Sequence, residues 1–403
     1  MIRTIERLEE FLALSALGSL PLGLTIEGFG QRCREGGLSV DRLLIGWRLL
    51  NPLYSSHTIL WTPEEGIASE LFRHSEAVNN PNYESSPIKA VLLSSEMSIR
   101  RRLSGANAPF DFPMLEDLAE QGFTDYYIVK VGFGAEISEE IPGTGVIISF
   151  VSKQDGGFTD DEISALDRLK HMLGIAARVA MEVEMRETLA RTYLGRSAAE
   201  KVLGGQILRG EGEAIEAVIW YCDLRGSSTL CETMGVDAYL PLLNDFFSAT
   251  AGPVSAAGGD VLDFIGDAVL AIFPTGSNGI AHALAATREA LSHLETFRTA
   301  HSVLADRKGL ADVVGIAMDT GTVNYGNIGI PERLSFSVIG PTVNKVARLE
   351  RLAKALHVPV LATASVAAAA PGEWIDRGVH RLDGVAHEVD VFTLQTNPAF
   401  ADA

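Results

Sequence analysis

The chain has 403 residues, 47% of them hydrophobic, with 52 acidic against 33 basic side chains and a net charge of −19. That hydrophobic fraction excludes wholesale disorder, and the length leaves room for two or three domains. The acidic balance argues against a non-specific nucleic-acid or anionic-membrane surface, so an anionic ligand needs locally concentrated Arg, Lys or metal.

In chain order, Arg3, Glu6, Arg7, Glu9 and Glu10 break up the N-terminus, and no signal peptide is expected there. No apolar run approaches the ~18 residues that span a membrane. Residues 40–54, VDRLLIGWRLLNPLY, read as a short helix followed by an irregular stretch. HTILWT, DYYIVKVGF and GVIISFVS read as strands, being rich in β-branched and aromatic residues. The mixture up to residue 158 suits a small α/β sensor module. Arg100 to Arg102 read as a solvated face, with an anion or partner contact as the alternative.

Thr159 and Glu162 then form a capping box. Leu166, Leu169, Leu173, Ala176, Ala180 and Val183 follow at alternating three- and four-residue steps, a heptad seam. It is expected to join two copies as a connecting helix over 159–212. The rival reading is one amphipathic helix packed on its own domain. Gly195, Gly204 and Gly205 mark a hinge.

From about residue 215 the pattern becomes regular. AVIWYCDL is a strand, Thr229 to Ala257 is mostly helical, and VLDFI and AVLAIF are strands joined by Gly266-Asp267. A long helix follows, then DVVGIAMDTGTVNYGNIG, read as a strand pair turning at Thr320-Gly321. The order strand, helix, strand, strand, helix, strand is ferredoxin-like βαββαβ. A helix with TVNKVARLERLAKAL and the strands PVLATA and VDVFTL complete a sheet expected to be covered on one side. The fold class is therefore α/β (α+β), with a catalytic-type domain at 213–395 and a tail at 396–403.

In that topology the first strand lies beside the hairpin strand, so Asp223 and Asp267 can reach one point. Two hard oxygen donors at a strand end, beside the turn RGSS, suit Mg²⁺ carrying a nucleoside triphosphate. Asp260 reads as a turn residue before the strand. The nine histidines include no H-E-x-x-H arrangement, which argues against zinc chemistry. Cys33, Cys222 and Cys231 have no metal-ligand spacing and fit a reducing cytoplasm. Trp47, Trp61 and Trp220 read as core.

The segments AVIWYCDLRGSS, GGDVLDFIGDAVLAIF, GIAMDTGTVNYGNIG and FSVIGPTVNKVARLE resemble, in order and spacing, the catalytic domain of class III adenylate and guanylate cyclases. GGFTDDEISALDRLKHMLGIAARVA is similar to the closing helix of GAF sensor modules, which makes 1–158 GAF-like. The cyclase resemblance implies two Mg²⁺ or Mn²⁺ ions held by Asp223, Asp267 and the Leu224 backbone. It implies phosphates wrapped by the turn Arg225, Gly226, Ser227 and Ser228. Asn344 would orient the ribose and Arg348 would neutralise charge on the transferring phosphoryl group, both supplied by the partner of a homodimer. The reaction implied is attack of the ribose 3′ hydroxyl on the α-phosphate, releasing pyrophosphate.

The departures bear on the substrate. Adenylate cyclases usually carry Lys where this chain has Asp263, paired with Asp or Thr where it has Ser337. Guanylate cyclases tend to place Glu and Cys there. Asp263 with Ser337 is a shorter parallel of that pair, so GTP is expected, with ATP as one alternative. Catalytic impairment is the other: Ser227 stands where Phe is common. Asp383 also stands where a phosphate-binding Lys or Arg is usual, with Arg381 and Lys345 as basic residues nearby. The partners expected are the nucleoside triphosphate, a second copy, and an unidentified regulatory ligand of the N-terminal domain, in the cytoplasm, with no nucleic acid and no membrane span.

Overall fold

The computed structural model describes residues 2–77, 80–105, 108–134, 137, 141–276 and 278–395; the expected tail at 396–403 lies outside the described residues. The chain divides into two units, Met1–Leu189 and Ala190–Ala403. Among the described residues no helix is long and apolar enough to cross a membrane.

The first unit opens with helices α1 (Ile2–Leu17) and α2 (Leu22–Glu35), then strands β1 (Arg42–Arg48), β2 (Tyr54–Thr62) and β3 (Gly66–Arg73). Short helices α3 (His74–Ala77), α4 (Pro81–Glu84) and α5 (Pro87–Leu93) lead to β4 (Ser98–Arg102) and α6 (Pro113–Glu120). Strands β5 (Asp125–Gly132) and β6 (Gly145–Ser152) precede the long helix α7 (Asp160–Leu194). The strands form one antiparallel sheet, ordered β3-β2-β1-β6-β5-β4. Helices α1, α2 and α7 cover one face around Phe29, Trp61 and Phe150, and α5 and α6 cover the other through Val91 and Leu115.

Three expectations change here. Residues 42–48 are a strand, not a helix, because β1 is central between β2 and β6 and buries Leu43, Ile45 and Trp47. A central strand buried on both faces reads as a continuous apolar run, which periodicity cannot separate from a helix. The Arg100–Arg102 stretch is a solvated face only at Arg102, which is exposed, while its first two arginines are paired within the unit. Arg100 donates from Nε and Nη2 to Oδ2 of the fully buried Asp125, at 3.1 and 2.7 Å, and Arg101 pairs with Asp111.

The heptad seam is the third. The capping box forms as expected: the Thr159 N–H donates to Glu162 Oε2 at 2.9 Å and the Glu162 N–H to Thr159 Oγ1 at 3.2 Å. Yet Leu166, Leu169, Leu173, Ala176 and Ala180 are buried in the core of their own unit. The apolar stripe of α7 is occupied by its own sheet, as the rival reading required.

In the second unit α8 (Arg196–Leu203) precedes β7 (Gly212–Leu224), α9 (Ser227–Met234) and α10 (Val236–Ala256). The hairpin β8 (Asp260–Ile265) and β9 (Ala268–Pro274) follows, then α11 (Gly279–Ala300), β10 (Val314–Ile330) and β11 (Arg333–Ile339). Helix α12 (Pro341–Ala355), β12 (Val360–Thr363), α13 (Ala364–Ala367), β13 (Trp374–His380) and β14 (Val389–Leu394) complete it. The sheet runs β13-β14-β12-β10-β7-β9-β8, with β11 paired to β10. Its β10-β7-β9-β8 portion is the expected ferredoxin-like core.

The sheet is covered on both faces rather than one. Alternation along β7 sends Val218, Trp220 and Cys222 towards α10 and α11, and Ala217 and Ile219 towards α8 and α12. Nor does the chain turn at Thr320-Gly321. Strand β10 runs straight through, because residues 314–326 pair without a break to β7. Gly321 serves close packing instead, since a Cβ there would meet the Thr342 hydroxyl of α12 at 2.4 Å. The strand pair is made by β11, after the next turn.

Candidate active site

Strands β7 and β9 end at one edge of the sheet. Asp223 stands opposite Ala268 in the ladder, one residue after Asp267 in the hairpin turn. Gly266 takes a φ of +67°, which only glycine adopts freely, and so lets the chain reverse there. The Leu224 N–H lies 3.4 Å from the Asp267 carbonyl. Both aspartates are half-buried. The Asp223 carboxyl is pushed up to about 7 by burial, by its hydrogen bond and charge contact with Asp267, and by the charge of Glu350, only partly offset by Arg225.

Two carboxylates sharing one point cannot both ionise cheaply without a cation. A divalent ion answers that electrostatic demand, so the residues present fit Mg²⁺ or Mn²⁺. Among the described residues no group of three or more His, Cys, Asp or Glu is placed to hold a metal. The protein side is therefore two carboxylates with the Leu224 backbone beside them. That sparse set leaves positions for phosphate and water oxygens, as Mg²⁺ prefers.

The turn after Asp223 divides its labour. Gly226 is left-handed, with φ +68°, and begins α9. The first N–H groups of that helix, on Ser227, Ser228 and Thr229, have no intrahelical partner, and no side chain caps them. Unpaired helix N–H groups of this kind favour an anion. The Arg225 side chain points the other way and is buried. Its Nε donates to the Val314 carbonyl at 3.0 Å, its Nη2 to the Val358 carbonyl at 3.3 Å, and its Nη1 lies 3.5 Å from Glu350. Arg225 thus supports the strand end from below, tying it to α12.

Asn344 is exposed on α12, and the Arg348 Nη1 donates to the Asn344 carbonyl at 2.7 Å, the two residues lying on one face. Lys345, between them, is not free for phosphate: its Nζ is 2.5 Å from the buried Asp319, which also accepts from Thr363 Oγ1 at 2.6 Å. Asp383 is exposed beside Gly384, where a Cβ would stand 3.6 Å from the Arg348 Nη2.

Asp263 is exposed on β8 at a register shift between Val261 and Asp263, and Ser337 is half-buried on β11, opposite Gly326. Strands β8 and β11 approach one another. Asp260 is not a turn residue. It opens β8, accepts the Tyr325 hydroxyl at 2.9 Å and lies 3.5 Å from the Ser197 N–H, so it fastens α8 to the sheet. A feature missed in the sequence is Arg307, whose guanidinium lies over Gly226. No motif marks it, because it comes from the irregular segment before β10.

Residues 212–395 match the family model of the adenylate and guanylate cyclase catalytic domain. An adenylate cyclase of Anabaena cylindrica is 33% identical over 159 residues, 39% of this chain and 31% of that protein. Adenylate cyclase 2 of Rhizobium meliloti (strain 1021) is 28% identical over 308 residues, 75% of this chain and 78% of that protein, a span longer than the catalytic match. A bacterial light-regulated adenylyl cyclase of known structure is 21% identical, covering 62% of this chain and 83% of its own, with a TM-score of 0.47. The chain thus spans about a third of the Anabaena relative's length. The paired carboxylates on adjoining strand ends and the uncapped helix beside them lie within the segment that matches the adenylate and guanylate cyclase catalytic domain.

Proposed function

We propose that the protein is a nucleotidyl cyclase that converts a nucleoside triphosphate to its 3′,5′-cyclic nucleotide and pyrophosphate, working as a homodimer. The observation that carries this is the Asp223–Asp267 pair, in which burial and the neighbouring Asp267 push the Asp223 carboxyl up to about 7, set beside the free N–H groups of α9. Two Mg²⁺ or Mn²⁺ ions bound there would acidify the attacking hydroxyl and screen the phosphates. The Ser227 and Ser228 N–H groups hold phosphate oxygens in place. Asn344 orients the ribose, and Arg348 meets the charge that develops on the α-phosphoryl group.

A second copy accounts for two features. Asn344 is displayed to solvent on α12, and Val236, Leu240, Phe264, Ile265 and Ile339 expose apolar surface in the same unit, each at least 49% accessible. A second copy would cover such exposed apolar side chains if they meet in one patch. A shared site predicts complementation: Asp223→Ala and Asn344→Ala proteins, each inactive alone, regain a substantial fraction of wild-type turnover when co-expressed and purified together. Inactive mixtures of folded heterodimers would place both residues in the site of a single protomer.

GTP is the substrate favoured by the base-reading positions. The Asp263 carboxylate accepts from the N1–H and amino group of guanine, and it repels the acceptor N1 of adenine. ATP is the second reading, favoured because the Anabaena and Rhizobium relatives are named adenylate cyclases. Asp263→Lys combined with Ser337→Asp moves preference towards ATP by tenfold or more if these two residues read the base. The GAF-like first unit is read as the regulatory part. In it, a cavity of about 270 Å³ opens between Trp47, Tyr54, Phe133 and the α7 residues Met181 and Met185.

A further inference from the structure

The phosphate end of the site lacks an evident cation. Asp383 stands where a basic residue was expected, Lys345 is bound to Asp319, and the Arg225 guanidinium is buried against Val314 and Val358. Asp223, Asp267 and Glu350 act on one another there, and the cations that offset Glu350, Arg225, Arg351 and Lys354, belong to the buried turn and to α12. A triphosphate brought there meets helix N–H groups, but it needs more positive charge than they supply.

Arg307 sits where that charge is needed. A Cβ at Gly226 would stand 2.9 Å from its Nη2 and 3.7 Å from its Nη1, so the guanidinium lies directly over the turn that begins α9. Its placement is fixed from three sides. Nη1 donates to the Asp312 carbonyl, the Arg307 N–H donates to the Leu304 carbonyl at 2.9 Å, and the Arg307 carbonyl accepts from Arg298 Nη1 at 2.9 Å. The Lys308 N–H, bonded to Asp312 Oδ2 at 3.0 Å, closes the same loop. Among the described residues Nη2 has no hydrogen-bond partner. One edge of the guanidinium is thus tied down and the other is left open beside Gly226, a division suited to holding a phosphate oxygen. The bare Gly226 leaves room for this approach, since a Cβ there would make the Nη2 end of Arg307 shift.

We propose that Arg307 is a phosphate-binding residue of this active site, supplying from the loop before β10 the positive charge that the segment around Asp383 does not. The proposal rests on the cyclase reading for its nucleotide, but not for its phosphate chemistry. Arg307 and the α9 N–H groups together recognise the β- and γ-phosphates, the part of the substrate that leaves as pyrophosphate.

The test uses the full chain, with Mn²⁺ and inorganic pyrophosphate as the calorimetric probe and GTP and ATP in the kinetic arm. Arg307→Gln is expected to weaken pyrophosphate binding at least tenfold and to raise KM for the triphosphate by a similar factor. Arg307→Lys restores part of both, and Mn²⁺ affinity without phosphate stays within twofold of wild type. Pyrophosphate affinity unchanged in Arg307→Gln overturns the proposal, as does a wild type that binds no pyrophosphate. An equal loss of bare Mn²⁺ affinity also overturns it, by showing that Arg307 only shapes the turn. A wild type that makes no cyclic nucleotide yet binds pyrophosphate through Arg307 overturns the cyclase reading and upholds this one.

Discussion

Asp125 of the first unit and Asp223 of the second each stand on a strand, and the two carboxylates are treated in opposite ways. Asp125 of the first unit is fully buried and meets the Arg100 guanidinium, with the Phe158 N–H as a further donor at 3.0 Å. Asp223 of the second unit meets another carboxylate, Asp267, and the Arg225 guanidinium, hydrogen-bonded to the Val314 and Val358 carbonyls, offsets that only in part. A satisfied acid is part of the scaffold, whereas one held against a like charge is kept ready for something absent from the chain. The contrast separates architecture from chemistry without any motif.

Substitutions can break the contrast from either side. The largest effect is expected at the unsatisfied pair. Asp267→Asn should lower cyclase turnover by about three orders of magnitude, since one metal donor is lost and the charge stabilisation with it. The same change removes a like-charge contact, so the melting temperature of the metal-free protein should hold or rise, and Mn²⁺ should no longer raise it. A marked drop in metal-free stability would mean that the pair is structural.

Removing the satisfied partner should do the reverse. Arg100→Met strands a buried carboxylate and should cost about 3–5 kcal/mol in denaturant unfolding of the first unit. The catalytic unit should keep its metal-dependent stabilisation. A smaller and purely apolar effect is expected at the α7 stripe. Leu173→Ala should destabilise the first unit by about 2–4 kcal/mol through the cavity it leaves. It should leave the oligomeric state by sedimentation unchanged, because Leu173 faces its own sheet rather than a partner.

The pairing of Asp223 with Asp267 was more legible than the scaffold around it. Asp223 and Asp267 could be brought together from sequence because a ferredoxin-like order fixes which strands are neighbours, and a strand end fixes where its last side chain points. The Thr159–Glu162 capping box was equally readable, since its bonds span only three residues. Pairing over long range was not. The strand character of residues 42–48 depends on β2 and β6 lying on either side, and the heptad spacing of α7 is the same whether it faces a sheet or a second helix. Gly321 looked like a turn because its actual role, admitting Thr342, comes from a helix twenty residues later. Arg307 carried no signal at all, since only the folded loop puts its guanidinium over Gly226.

The most direct measurement is cyclic nucleotide formation by the purified full chain with Mn²⁺ and either GTP or ATP, run beside Asp267→Asn. The account predicts product from the wild type, GTP preferred, and at most background from the variant. No cyclic nucleotide from either substrate, in a wild type that is folded and stabilised by Mn²⁺, would contradict it.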